Sequence, residues 1–359
     1  MSSISVNTIT DASGGSTTSI NGFTPSVSNM AGRNRIINGG MVFDQRNAGA
    51  SVTASGSCVL DRFIAYRSGG AYTVQRSATA PAGFVNSMLM TNTTPASPTT
   101  YSFFGQIIEG NNIADLGFGT TTTNSVTVSF WVNSSVTGIY SISLTNGNGD
   151  RAYAVQYTIN AANTWEYKTI TAPVDTTGTW ATNNTSGLFL RVNLGSPSAR
   201  LISAGSWQVA NADGATGSTG ADTWANTSGA TFYITGVQLE EGSVATPFEH
   251  RQYGQELALC QRYYWQVSGV SGSTTGCTID GLYSSGSGAG IFYSFMHPVT
   301  MRTAPTATVN YNDLTNASSV VVTTSIYGAN VSANGGTTSS GRTGFTFNST
   351  GFVKMSAEL

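Results

Sequence analysis

The side chains in this sequence best suited to chemistry are aromatic and polar groups set one position off from apolar stripes. They are Trp131 and Asn133 in SVTVSFWVNS (125–134), Gln156 in YAVQYTI (153–159), and Phe189 and Arg191 in GLFLRVNLGS (187–196). An aromatic ring offers a flat apolar face to the C–H surface of a pyranose, and amide or guanidinium groups beside it bond the sugar's hydroxyls. If the three segments are neighbouring strands, these five residues form one carbohydrate-binding platform. The competing expectation is that this face is a subunit interface or lies under the N-terminal segment. Trp165, Trp180, Trp207 and Trp224 fall near turn-rich sequence and are expected as core anchors or rim contacts.

No pattern points to catalysis. Glycoside hydrolysis needs two carboxylates about 5–10 Å apart on one site. Glu240 and Glu241 are adjacent, and neighbours on a strand point to opposite faces. The only histidines, His250 and His297, are too few and too isolated for a metal cluster. A hydrolase triad need not be close in sequence, but the abundant serines lack any nucleophile-elbow context. NGNGDR (146–151) lacks the acidic spacing of a calcium loop and reads as a turn, and FDQRN (43–47) reads as a structural Asp44–Arg46 ion pair. Cys58, Cys260 and Cys277 form no CxxC pair and are expected reduced and mostly buried. No cofactor, metal or catalytic residue is expected.

Composition defines the elements that must position these groups. Charged residues make up 9% of the 359, against about 25% in ordinary domains, and 42 glycines with many Ser, Thr and Asn take their place. Aromatics at 10% rule against disorder, so the chain reads as all-β, many short strands joined by tight turns. The formal charge is −2 and Lys168 and Lys354 are the only lysines, which argues against nucleic-acid binding. No run of about 18 apolar residues exists, so no membrane insertion is expected. The N-terminal residues lack the features of a secretory signal, so synthesis in the cytoplasm is expected.

Period-two alternation through residues 33–250 predicts a jelly-roll β-sandwich. Its closing strand is FYITGVQLEEG (232–242), with Phe232 and Ile234 on one face and Tyr233, Val237 and Leu239 on the other. Residues 251–268 form a helical connector, the one short helix, with Tyr253, Leu257, Cys260 and Tyr264 as its apolar seam. So short a helix must pack within its own subunit or in a three-fold bundle. Residues 269–359 supply a small C-terminal β-sandwich. Residues 1–32 cannot enclose a core; Ile4, Val6 and Ile9 mark an extended arm that becomes ordered on a partner, or a flexible tail.

Certain blocks carry a family likeness: NRIINGG (34–40), DQRNAGASVT (44–53), ANTWEYKTI (162–170), FYITGVQLE (232–240), ATPFE (245–249) and ELALCQRYY (256–264), with MRTAPT (301–306) and SAEL (356–359) after them. Together they resemble bacteriophage tail-fibre and related virion appendage proteins, over roughly residues 1–265. The middle sandwich is similar to carbohydrate-binding jelly rolls. The resemblance implies a homotrimer mounted on a virion, its N-terminal residues Ile4, Val6 and Ile9 docking on other virion proteins and its C-terminal residues facing outward as the distal tip. The expected function is non-enzymatic attachment to a host-surface glycan, with multivalency supplying avidity. A capsid head-fibre or decoration protein and a polysaccharide depolymerase are the alternatives.

Overall fold

The computed structural model describes residues 32–96, 99–268, 278–283, 291–310, 313–315, 319–334, 341–346 and 352–359. Ile4, Val6, Ile9 and Cys277 lie outside them. The chain divides into two units. One holds the described residues up to Val42, then Gly49–Val59 and Phe63–His250; the other holds Phe43–Ala48, Leu60–Arg62 and Arg251–Leu359. The later part of the division falls between His250 and Arg251, and two short pieces of earlier sequence belong to the second unit.

The strands up to residue 241 are Val52–Thr53 (β1), Ser57–Leu60 (β2), Phe63–Arg67 (β3), Ala71–Ser77 (β4) and Ser87–Thr94 (β5). Next come Ser102–Glu109 (β6), Ser125–Ser134 (β7), Gly138–Asn146 (β8), Ala152–Ile159 (β9) and Glu166–Pro173 (β10). Ser186–Asn193 (β11), Leu201–Ile202 (β12), Trp207–Gln208 (β13), Gly214–Ala215 (β14) and Thr231–Glu241 (β15) complete the set. They build a six-stranded sheet, β1-β4-β5-β15-β7-β10, and a seven-stranded sheet, β13-β9-β8-β11-β6-β3-β2. Successive strands β5 to β8 and β9 to β11 alternate between the two sheets, as in a jelly roll. The fold is all-β, and rings from the facing stripes meet between the sheets: Phe130 with Tyr157 at 5.2 Å, Phe104 with Phe232 at 5.9 Å.

The central strand β15 has an irregularity on which the sandwich depends. Thr235 pairs with Trp131 and Gln238 with Ser129, so Gly236 and Val237 together oppose a single residue of β7. Gly236 has φ +63°, the left-handed region, and Phe84 fills the space where a Cβ would stand. The extra residue resets the alternation. Leu239, expected on the face of Tyr233, joins Phe232 and Ile234 in the core, and Gln238 and Glu240 turn outward.

Beyond the bulge β15 has lost β5, its partner only over Thr231–Ile234. The NRIINGG segment takes that place. Arg35 N donates to Leu239 O at 2.8 Å and Val237 N to Gly39 O at 3.0 Å. The Asn34 amide donates to Val237 O and accepts from the Leu239 and Ile36 N–H groups. A Cβ at position 39 would lie 2.1 Å from Val237 O, so the glycine is required by close approach. Gln106 of β6 closes the other side, its amide accepting from Ile37 N and donating to Ile37 O. The ATPFE segment clamps the start of the motif: Glu249 accepts from Gly32 N and Asn34 N, and Arg33 donates to Thr246 Oγ1.

Among the described residues there are two α-helices, Thr219–Asn226 (α1) and Tyr253–Gln261 (α2), not one. The first buries Trp224 against Tyr72, while Thr223 and Asn226 side chains bond back to carbonyls one turn earlier. Its β-branched, Gly-containing sequence has low intrinsic helicity; the packing of Trp224 makes it a helix.

The second unit's strands are Tyr264–Ser268 (β16), Thr278–Tyr283 (β17), Ile291–Met296 (β18), Thr306–Asn310 (β19) and Asp313–Thr315 (β20). Ser319–Thr324 (β21), Gly328–Asn334 (β22), Gly341–Thr346 (β23) and Phe352–Ser356 (β24) follow. They form three three-stranded sheets, β16-β24-β19, β17-β23-β20 and β18-β22-β21. Trp265, Val353 and Met355 of the first and Ala329 and Val331 of the third share one core with Met301. The expected helical seam does not persist. The helix stops at Gln261 and Tyr264 already lies in β16, paired with Ser356 of β24. Cys260 and Tyr264 are buried, Leu257 is half-buried, and Tyr253 is 67% exposed with one ring contact, to Phe43.

Four of the quoted blocks converge in this unit on one carboxylate. Glu358 of SAEL takes Arg46 of the DQRN block at 2.7 Å, and also Arg62. The Arg46 guanidinium lies 3.6 Å over the Tyr264 ring and that of Arg62 3.5 Å over Tyr263. Arg302 of MRTAPT donates to Ala357 O and Glu358 O. Arg46 thus pairs with Glu358, while Asp44 accepts the Asn47 N–H. Burial pushes the Glu358 carboxyl up, but the two arginines outweigh it and hold it below the usual value.

Two measurements test these contacts. Asn34→Ala leaves Val237 O and the Leu239 and Ile36 N–H groups without their amide partner in the interior, which should cost about 2–5 kcal/mol in denaturant unfolding. The second concerns pH. Burial drives the Asp61 carboxyl from 3.8 up to about 6, against the lowering by Gln45 and Arg46. The folded chain holds that proton where the unfolded chain has lost it. The group's stabilisation is complete below about pH 3.8 and is lost as pH rises through about 6. Between those values wild-type stability should fall relative to Asp61→Asn by up to about 3 kcal/mol, read from unfolding curves of the two chains.

Candidate functional site

Three adjacent strands of the six-stranded sheet, β10, β7 and β15, turn a group of rings outward. Tyr167 lies opposite Trp131, and Trp131 opposite Thr235; in the next row Asn133 lies opposite Tyr233. The parity is fixed by Val128, Phe130 and Val132, which fill the core from the other face of β7. Trp131 and Tyr167 have centroids 5.4 Å apart at 45°, and Trp165 and Tyr233 6.1 Å apart at 64°. Tyr167 is 43% exposed, and the other three are half-buried.

The turn before β10 is built to hold Trp165. Glu166 accepts from Asn160 N, Ala161 N and the Asn160 amide, and pairs with Lys168 at 2.6 Å. Burial opposes the charge, yet Lys168 and these N–H donors outweigh it and bring the carboxyl down to about 2. Asn163, at φ +54°, donates its N–H to Ser134 O and so ties the turn to β7. The Asn133 side-chain amide makes no hydrogen bond with a described residue, and Thr235 Oγ1 is buried without a partner. The face therefore offers four aromatic rings and a side-chain amide that no described residue engages.

The five residues expected to form one platform are divided between two outer faces. Trp131 and Asn133 lie on this one. Gln156, Phe189 and Arg191 lie on the outer face of the seven-stranded sheet, since β7 neighbours neither β9 nor β11. There they fasten the excursion that links β11 to β15. Arg191 donates to Asn211 Oδ1 at 2.6 Å and Ala212 O at 3.2 Å, and stacks 4.6 Å from the Phe189 ring. It shares the fully buried Asp213 with Arg200, which lies over Tyr101 at 4.2 Å. Burial lowers the Arg191 pKa, whereas the bond to Asp213 raises that of Arg200. Phe189 packs with Phe103 and Ile64 and is buried. The Gln156 amide donates to Thr216 O at 2.7 Å. These three side chains are occupied by the fold.

The missed residues are Trp165, Tyr167 and Tyr233. Their signal lay in WEYKTI, where Trp165, Tyr167 and Thr169 alternate against Glu166, Lys168 and Ile170. The remaining tryptophans are internal or edge contacts: Trp180 stacks on Phe118 at 4.3 Å, and Trp207 donates to Pro173 O.

The titratable candidates are structural. Glu240 accepts from Thr246 N and the Gln238 amide and is buried under the 243–250 segment. His250 stands between the rings of Phe84 and Phe248, at 5.4 and 4.9 Å. His297 accepts the Trp265 indole N–H on Nδ1 and donates from Nε2 to Ser325 O; burial lowers its pKa. Among the described residues no group of three or more His, Cys, Asp or Glu is placed to hold a metal ion. Nor is any described helix long and apolar enough to cross a membrane.

No family model matches the chain, and no curated protein matches it. Among solved structures it is similar to the enzymatically active domain of bacteriophage CBA120 tailspike protein 4, at 15% identity and TM-score 0.32 over 58% of this chain. It spans 21% of that tailspike chain. A CBM4 structure matches at 15% identity and TM-score 0.28, covering 57% of this chain and 97% of that one. The CBM22-1 xylan-binding domain from Paenibacillus barcinonensis Xyn10C matches at 12% identity and TM-score 0.24, covering 55% and 99%. At these identities and scores no residue role passes from those proteins to this chain.

Proposed function

We propose that the first unit binds carbohydrate through the outward rings Trp131, Trp165, Tyr167 and Tyr233. The observation that carries this reading is the common direction of Trp131, Tyr167 and Tyr233 from adjacent strands, with Trp165 beside Tyr233 and the Asn133 amide among them. Rings on a rigid sheet lose little conformational freedom when a sugar stacks on them, and the amide supplies the directional bond that flat stacking lacks. The reading is of binding: stacking rings and an amide hold a sugar without acting on its bonds. The sequence likeness of the quoted blocks supports the wider setting. In it the chain is a virion component, a tail fibre or tail appendage, that attaches to a host-surface glycan as a homotrimer. Three copies of one weak sugar contact raise the overall affinity well beyond that of one.

Trp131→Ala should weaken binding to the recognised polysaccharide roughly tenfold or more in calorimetry, with the melting temperature little changed. Phe189→Ala should do the reverse, lowering the melting temperature and leaving affinity intact. If Trp131→Ala leaves affinity unchanged, the aromatic face is not the site. For assembly, light scattering should give three times the 37.3 kDa chain mass. A monomer at micromolar concentration overturns the fibre reading. Immunogold labelling of the virion with antibody to residues 33–250 distinguishes tail from capsid.

A further inference from the structure

The first unit also carries an open cleft of about 390 Å³, and none of the four outward rings lines it. One wall is α1, through Asp222, Ala225 and Asn226; positions three and four apart share a helix face. The excursion after β11 supplies Ser198, Leu201 and Thr216 to the lining. Its size is in the range of small-molecule sites, which combine apolar lining with a few polar groups that set orientation.

The polar groups narrow the chemistry. The Asp222 carboxylate and the Ser198 and Thr216 hydroxyls make no hydrogen bond with a described residue. Partial burial raises the Asp222 carboxyl above its ordinary value of 3.8, while the side chain stays exposed to the cleft. Hydroxyls that both donate and accept, one acceptor-only carboxylate, and the apolar faces of Leu201 and Ala225 match a ring bearing adjacent O–H groups on one side and C–H groups on the other. A calcium ion takes six to eight oxygens, usually from several carboxylates, and this lining holds one carboxylate. An anionic sugar or phosphate meets like charge.

We infer that this cleft is a second ligand site that takes a single neutral sugar residue, whose vicinal hydroxyl pair donates to Asp222. The site is separate from the aromatic face, so either can fail without the other. The test uses saturation-transfer NMR on the full chain. The probes are the methyl glycosides of glucose, galactose and mannose, with methyl glucuronide as the anionic comparator. At least one neutral glycoside should bind to wild type and equally to Trp131→Ala. Its affinity should fall at least tenfold in Asp222→Asn, and Ser198→Phe, which fills the cleft, should abolish it. Asp222 is exposed, so the first variant should keep the wild-type melting temperature. No binding of any neutral glycoside, unchanged affinity in Asp222→Asn, or equally tight binding of the glucuronide would each overturn the inference.

Discussion

The first unit hangs on the backbone hydrogen bonds of β15. It is the strand between β5 and β7, and past Gly236 its β5 edge is bare. Bare N–H and C=O groups in an interior are costly, and the chain meets this with sequence from far away. Residues 34–39 supply two backbone bonds, and the Asn34 amide supplies what a strand could not, because the bulge puts Val237 O and Leu239 N out of ladder register. The rings of the candidate face depend on this repair. Tyr233 stands on β15, Trp131 on its neighbour β7, and Tyr167 on β10, the next strand out.

The second unit solves a different problem, the burial of two arginines. Glu358 takes both, and the Tyr263 and Tyr264 ring faces stabilise the guanidinium planes from above. Removing either tyrosine would take away part of that support without touching an ion pair. The QRYY, DQRN and SAEL blocks are thus pieces of one electrostatic knot, widely separated along the chain.

The strands were legible because each apolar stripe is a local property: Val126, Val128, Phe130 and Val132 declare their face without reference to anything else. Which strands are neighbours is not local. It follows from crossovers, and so the five-residue platform, assembled from three separate stripes, came apart. The face of Leu239 was misread for a related reason, since one inserted residue inverts parity for everything after it. Gly236 was the only warning. The helical seam failed where the 4-3-4 spacing ran on past the helix: Tyr264 satisfies that spacing but is held in β16 by pairing with Ser356. Helix α1 had no periodic signal, because its burial rests on one tryptophan and three small residues.

The two outer faces of the sandwich are covered unequally, and this difference favours one of them as the binding surface. Over the seven-stranded sheet, the excursion is fixed by Arg191, Arg200 and the fully buried Asp213, with Phe103 and Phe189 packed against the guanidinium groups. To expose that face a ligand would have to break a desolvated ion cluster. Over the six-stranded sheet, the 243–250 segment lies on β15 beyond the bulge through Gln238, Glu240 and Thr246, and on β10 through the Thr171 hydroxyl, which donates to Ser243 O. On β15 the rings begin on the other side of the point where the parity resets. The same bulge that lets the chain bury Glu240 therefore leaves Tyr233 and Trp131 on the outer face, half-buried among the described residues.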